Sequence, residues 1–205
     1  MKKTIFLVLL CLAVCLSVNA NKTSKFAYVD MTNHWAEETA EIIAEKDIFV
    51  GTRINDEYYF YPDTTLTRTE FIIMLVSALG LEIKTDVKVP FEDFDQVPEY
   101  AKKYILTAYN EGLIDGNLEY GKLYFRPHDI LTRIEIIKII DKVINCNSDE
   151  TAKYNDMYLV PKWGVESVSN LTKAGILKGY EDGTVRPYVK INRATASEFI
   201  LKTVK

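Results

Sequence analysis

The sequence predicts a mainly α-helical protein, with three helix-turn-helix repeats packed as a compact pseudo-threefold bundle. Three observations predict it. An aromatic residue at a helix start is followed sixteen positions later by glycine, three times: Trp35 and Gly51, Tyr100 and Gly116, Trp163 and Gly179. A proline precedes an arginine by six positions, again three times: Pro62 and Arg68, Pro127 and Arg133, Pro187 and Arg193. An aromatic-x-Asp triplet opens each copy: Tyr28-Val29-Asp30, Phe91-Glu92-Asp93 and Tyr154-Asn155-Asp156. Self-similarity at fixed spacing marks a repeat architecture. The copies run over 28–84, 89–148 and 152–205. Two helices with one apolar face each bury little alone, so three copies are expected to share a core.

Ahead of the copies, residues 1–20 read as a secretory signal peptide. Lys2 and Lys3 give a positive start, Ile5 to Val18 is almost wholly apolar, and Val18-Asn19-Ala20 offers a cleavage site. The segment is too short and weakly flanked for a transmembrane anchor. Cys15 follows Val14, whereas lipidation needs a small residue there. Cleavage removes Cys11 and Cys15 and leaves Cys146, so no disulfide framework supports the fold. It also removes two of the 25 basic residues, which against 29 acidic ones leaves a net charge of −6. That balance, with no basic block, excludes nucleic acid as a partner. A hydrophobic fraction of 48% is that of a folded domain.

The first helix of each copy begins near Trp35, Tyr100 or Trp163. In the first, Trp35, Thr39, Ile42 and Ile43 fall on one helical face, and Glu37 and Glu38 complement the helix dipole. Pro98 and Pro161 hold entry positions where proline costs no hydrogen bond. Gly112 and Gly175 suit a left-handed helix stop, with Asp47 as the substitute in the first copy. Turn residues follow, Asn55-Asp56 or Asp182-Gly183. Tyr59–Pro62 and Tyr124–Pro127 are expected to be short and extended. The second helix starts at Thr67 or Thr132, each with a glutamate three residues on, the spacing of a capping box. Phe71, Ile72, Leu75 and Leu79, then Ile136, Ile137, Ile140 and Val143, supply its apolar stripe.

The arginines are not explained by capping. Arg68, Arg133 and Arg193 fall in a helix's first turn, where partial positive charge disfavours them. They are either ordinary surface residues or part of an anion site. In the second case free backbone N–H groups of the helix start and a planar guanidinium would bind carboxylate or phosphate together.

These motifs together resemble the S-layer homology repeat. The marks are the aromatic-x-Asp start, the Trp-Ala helix, the Gly-Ile-x-x-Gly turn, the Phe-x-Pro segment and a Thr-Arg-Ala-Glu helix start. The last appears here as Thr67-Arg68-Thr69-Glu70, Thr132-Arg133-Ile134-Glu135 and Asn192-Arg193-Ala194-Thr195. The resemblance implies a secreted, non-covalent cell-wall binding module of a bacterial wall or S-layer. Its ligand would be an anionic, pyruvylated secondary cell-wall polysaccharide or a peptidoglycan-linked polymer, held in grooves between repeats. By the same resemblance the arginines meet the ligand carboxylate. Trp35, Tyr100 and Trp163, Asp30, Asp93 and Asp156, and Gly51, Gly116 and Gly179 line the grooves. Stacking on sugar and packing in the core both suit Trp35 and Trp163. The third copy has Asn192 and Thr195 in place of threonine and glutamate. Its groove is therefore expected to bind poorly or differently, with Arg68 and Arg133 the stronger sites. Tyr100 keeps a ring but a smaller one.

Catalysis is not expected. The repeats occupy the chain after residue 20, and capping accounts for Glu70 and Glu135. His34 and His128 fall in unrelated positions, Cys146 lacks a histidine near it in sequence, and no metal-ligand cluster, cofactor motif or Ser/His/Asp set appears. The other reading is a structural or adaptor protein that binds S-layer or envelope proteins.

Overall fold

The computed structural model describes residues 26–144 and 146–204; the signal-peptide expectation lies outside them. The fold is mainly α-helical. Among the described residues six α-helices follow in order: α1 (Glu37–Glu45), α2 (Arg68–Ala78), α3 (Glu99–Asn110), α4 (Arg133–Asp141), α5 (Val165–Lys173) and α6 (Arg193–Thr203). Two antiparallel hairpins intervene, β1 (Thr52–Ile54) with β2 (Glu57–Tyr59), and β3 (Asn117–Glu119) with β4 (Lys122–Tyr124). The matching stretch before α6 is shorter, with Pro187 eight positions after Gly179 where Pro127 lies eleven after Gly116. It makes a tight turn instead, closed by Tyr180 N–H to the Thr184 carbonyl at 2.8 Å.

Local chemistry accounts for the helix ends. The Thr67 N–H donates to Glu70 Oε2 at 2.8 Å and Glu70 N–H returns to Thr67 Oγ1 at 3.2 Å. The Thr132 N–H and hydroxyl both donate to Glu135 Oε2, at 2.9 and 2.6 Å. Asn192 Oδ1 caps α6 by accepting from Thr195 N–H at 3.0 Å. The first helices stop at left-handed residues: Asp47 (φ 55°), Gly112 (70°) and Gly175 (73°).

Packing differs from the expected one-sided stripes. α2, α4 and α6 bury residues nearly all round, as with Phe71, Ile72, Met74, Leu75 and Val76 of α2, because they are the central helices. In α1 the inward line is Ala36, Ala40, Ile43 and Ala44. Trp35 and Thr39 lie off it, and Trp35 is 61% exposed. Small alanines let α1 approach Ala194 of α6 closely in a shared apolar cluster, a contact that counting large apolar residues cannot find.

The helix pairs also cross from one unit to the next. α2 packs on α3, α4 on α5, and α6 returns to α1, closing a ring. At its centre, Leu66 N–H donates to the Ile191 carbonyl (3.1 Å), Ile191 N–H to Leu131 (3.0 Å), and Leu131 N–H to Leu66 (3.3 Å). All three side chains are buried. The backbone thus closes a triangle on the pseudo-threefold axis.

Candidate functional site: grooves between units

The leading aspartates anchor the loop that precedes each arginine. Asp30 accepts from the N–H groups of Phe60 and Tyr61 (2.9 and 2.6 Å), Asp93 from Phe125 and Arg126 (2.8 and 2.7 Å), and Asp156 from Val185 and Arg186 (2.7 and 2.8 Å). Both oxygens of each carboxylate are therefore engaged by backbone. The clamp holds Tyr61, Arg126 and Arg186 at φ 55°, 60° and 50°. Tyr59–Pro62 and Tyr124–Pro127 are consequently sharp turns after a strand end, not extended stretches. The second glycines admit the aromatic ring of the triplet. A Cβ on Gly116 would meet Phe91 Cε1 at 2.6 Å, and one on Gly179 would meet Tyr154 Cε1 at 2.5 Å. At Gly51 it would meet the Tyr59 carbonyl oxygen at 2.4 Å.

The helix N-termini offer no free backbone donors at their first two positions. Arg68 and Thr69 N–H donate to the carbonyls of Asp129 and Pro127 (2.8 and 3.3 Å). Arg133 and Ile134 donate to Val189 and Pro187, and Arg193 and Ala194 to Thr64 and Pro62. The expectation that these groups would bind an anion is thus corrected: each start is satisfied by the loop of the next unit. The arginine side chain is what remains.

None of the three arginines is an ordinary surface residue. The Arg68 side chain is 11% exposed, and its Nη2 donates to Glu135 Oε1 at 2.5 Å. Arg133 is 6% exposed; its Nη2 donates to the Lys178 carbonyl at 2.7 Å, and its guanidinium lies 5.1 and 5.0 Å from the Tyr180 and Phe199 ring centres. Arg193 is 8% exposed, with Nη1 on the Phe60 carbonyl at 2.5 Å and Phe49 at 4.7 Å. Among the described residues, the Nε of all three is buried without a hydrogen-bond partner. Burial opposes the charge and pulls the pKa of Arg133 and of Arg193 downward. Burial pushes the Glu135 carboxyl up, but hydrogen bonds from Thr132 and the Arg68 guanidinium outweigh it and hold it below the usual range.

Two of the arginines line open grooves. The first groove, of about 710 Å³, joins Arg68 of the α1–α2 unit to the Leu113–Glu119 turn and α4 of the next unit, and to Trp163 of the third. The second, of about 320 Å³, joins Arg133 to the turn at Gly179-Tyr180, to α6, and to Trp35. Each groove therefore draws on all three units. Trp163 (51% exposed) and Trp35 stand at the surface, so they are not core residues; Tyr100 is likewise 67% exposed. Gly116 and Gly179 sit in the groove walls. Sequence reasoning missed Lys138, Lys142, Lys178 and Lys202, which line the same grooves. A signal existed, since Lys142 and Lys202 each lie nine residues after their helix arginine.

The interleaving also relocates one substitution. Arg68 meets the glutamate of the following unit, Glu135. The equivalent position facing Arg133 is Thr195, which lines the second groove. The change in the third copy thus falls in the groove of Arg133, not in that of Arg193.

Among the described residues, no helix is long and apolar enough to cross a membrane. The family model for the S-layer homology domain matches residues 90–137 and 153–197, which include Arg133 and Arg193. An amylopullulanase of Thermoanaerobacterium thermosulfurigenes is 27% identical over 90% of this chain. The S-layer protein of Bacillus thuringiensis subsp. finitimus is 26% identical, and S-layer protein sap of Bacillus anthracis 27%, each over 84% of the chain. The chain spans 10% of the length of the first relative and 20% of each of the others.

Proposed function

We propose that this chain is a secreted, non-covalent cell-wall binding module, and that residues 28–84 form a third, divergent S-layer homology repeat beside the two that match the family model. The ligand is an anionic, pyruvylated secondary cell-wall polysaccharide lying in the grooves between units. Arg68 and Arg133 face its carboxylate, and Trp163 and Trp35 stack on its sugar rings. By the same rotation Tyr100 belongs with Arg193. The aspartates and glycines act by shaping the groove walls.

One observation carries this reading: a deeply placed arginine with an unpartnered Nε and a solvent-exposed tryptophan meet in one groove, twice. A buried guanidinium without its full set of partners favours an anion, and an exposed indole face favours a sugar ring. The same reading assigns no catalysis, since Glu70 and Glu135 are engaged in helix caps.

Co-sedimentation with purified cell walls tests it. The full chain is expected to pellet with native walls and to stay soluble with walls stripped of secondary polymer. Arg68→Ala with Arg133→Ala is expected to abolish pelleting. Trp35→Ala with Trp163→Ala is expected to do the same without altering the thermal melt. Pelleting with stripped walls, or unaffected by either double variant, overturns the assignment.

A further inference from the structure

The two grooves are built to one plan but differ in how their arginine is occupied. In the first groove Glu135 Oε1 accepts from the Arg68 guanidinium at 2.5 Å. That carboxylate is held in place by the Thr132 N–H and hydroxyl. Asp115 and Glu119 line the same groove. In the second groove the position of Glu135 is taken by Thr195. Among the described residues, Arg133 has no carboxylate within ion-pair reach and donates to a neutral carbonyl instead. Glu198 is the one carboxylate lining this groove, and it is bound by Lys202 at 2.6 Å.

We propose that the protein binds its anionic ligand preferentially in the groove of Arg133, where Thr195 leaves the guanidinium without a carboxylate, while Glu135 occupies Arg68 in place of the ligand. The physical reason is competition. A ligand carboxylate entering the first groove must share or displace a carboxylate that is fixed by its own helix cap. One entering the second meets a buried cation whose charge is not neutralised by a contact ion pair. Thr195 is thus a specificity-determining residue, and it acts across the unit boundary. This inference rests on the carboxylate-binding reading above.

The chain carries one tryptophan in each groove and no other, so each groove has its own reporter. Trp163→Phe leaves Trp35 to report the second groove, and Trp35→Phe leaves Trp163 to report the first. The probe is a methyl glycoside carrying a pyruvate ketal, with its methyl ester as neutral control. Fluorescence titration is expected to give a midpoint at Trp35 roughly tenfold below that at Trp163, the scale of one charge-assisted hydrogen bond. Glu135→Gln keeps an acceptor for the Thr132 cap but removes the charge; it is expected to bring the Trp163 midpoint to that of Trp35. Thr195→Glu is expected to raise the Trp35 midpoint roughly tenfold, again the scale of one such bond. If Thr195→Glu does not fold, Glu135→Gln alone decides. Equal midpoints in the parent variants, or a Trp163 midpoint unmoved by Glu135→Gln, overturn the groove preference and leave carboxylate binding standing. Silence of both tryptophans, or an equal response to the methyl ester, overturns carboxylate binding itself.

Discussion

Asp93 shows how a single side chain can fix a loop. It is buried, and its two oxygens accept from consecutive backbone N–H groups. Removing it leaves the buried Phe125 N–H and the part-buried Arg126 N–H unpaired and frees Arg126 from its left-handed conformation. Asp93→Ala is expected to cost about 3 kcal/mol in urea denaturation, and Asp93→Asn about half that, because one acceptor oxygen survives. Gly116→Ala is expected to cost about 2 kcal/mol or more, since the added methyl meets the Phe91 ring at a positive φ. Glu135 gives a pH signature. Its folded pKa is depressed, so its stabilisation is present above the unfolded carboxyl value and is lost as pH falls through the folded one. Glu135→Gln is therefore expected to flatten the acid limb of a stability–pH curve below about pH 4.5 while leaving its neutral shape unchanged.

At the level of elements, the caps were legible because a capping box is a local code of four residues. Thr67 with Glu70 and Thr132 with Glu135 close as their spacing predicts. Asp47 stops α1 at positive φ in the position that glycine fills elsewhere. Asn192→Ala is expected to cost about 1 kcal/mol in thermal or urea unfolding, the usual loss for such a cap. The face of α1 was not legible. Its buried line is mostly alanine, and small residues register as inward only when the partner helix is known. The extended reading of Tyr124–Pro127 failed for a related reason: a carboxylate more than thirty residues earlier, Asp93, bends that backbone. The arginines stood out in the sequence because they oppose the helix dipole. Which glutamate and which tryptophan each one meets depends on the ring order of the units, and no local pattern encodes that.

Across the whole molecule, the ring of helix pairs makes the units interdependent. α3 buries its apolar face on α2, and α6 buries its own on α1. A fragment covering 89–205 lacks both partners and two of the three hydrogen bonds of the central triangle. It is expected to show no cooperative thermal transition and poor amide dispersion, whereas the full chain unfolds in a single step. Independent melting of that fragment near the temperature of the full chain would contradict this account.

The closed triangle of Leu66, Leu131 and Ile191 has a consequence for descent. A symmetric homotrimer places one identical subunit at three equivalent positions, and a change in its sequence appears at all three interfaces at once. Here the three positions are joined in one chain, so each can drift alone, yet each still contributes to grooves that belong to its neighbours. Selection on one groove therefore acts on three stretches of gene together, and a mutation in one copy is expressed beside another copy's arginine. The molecule behaves as a covalent trimer that has lost the obligation to keep its subunits identical.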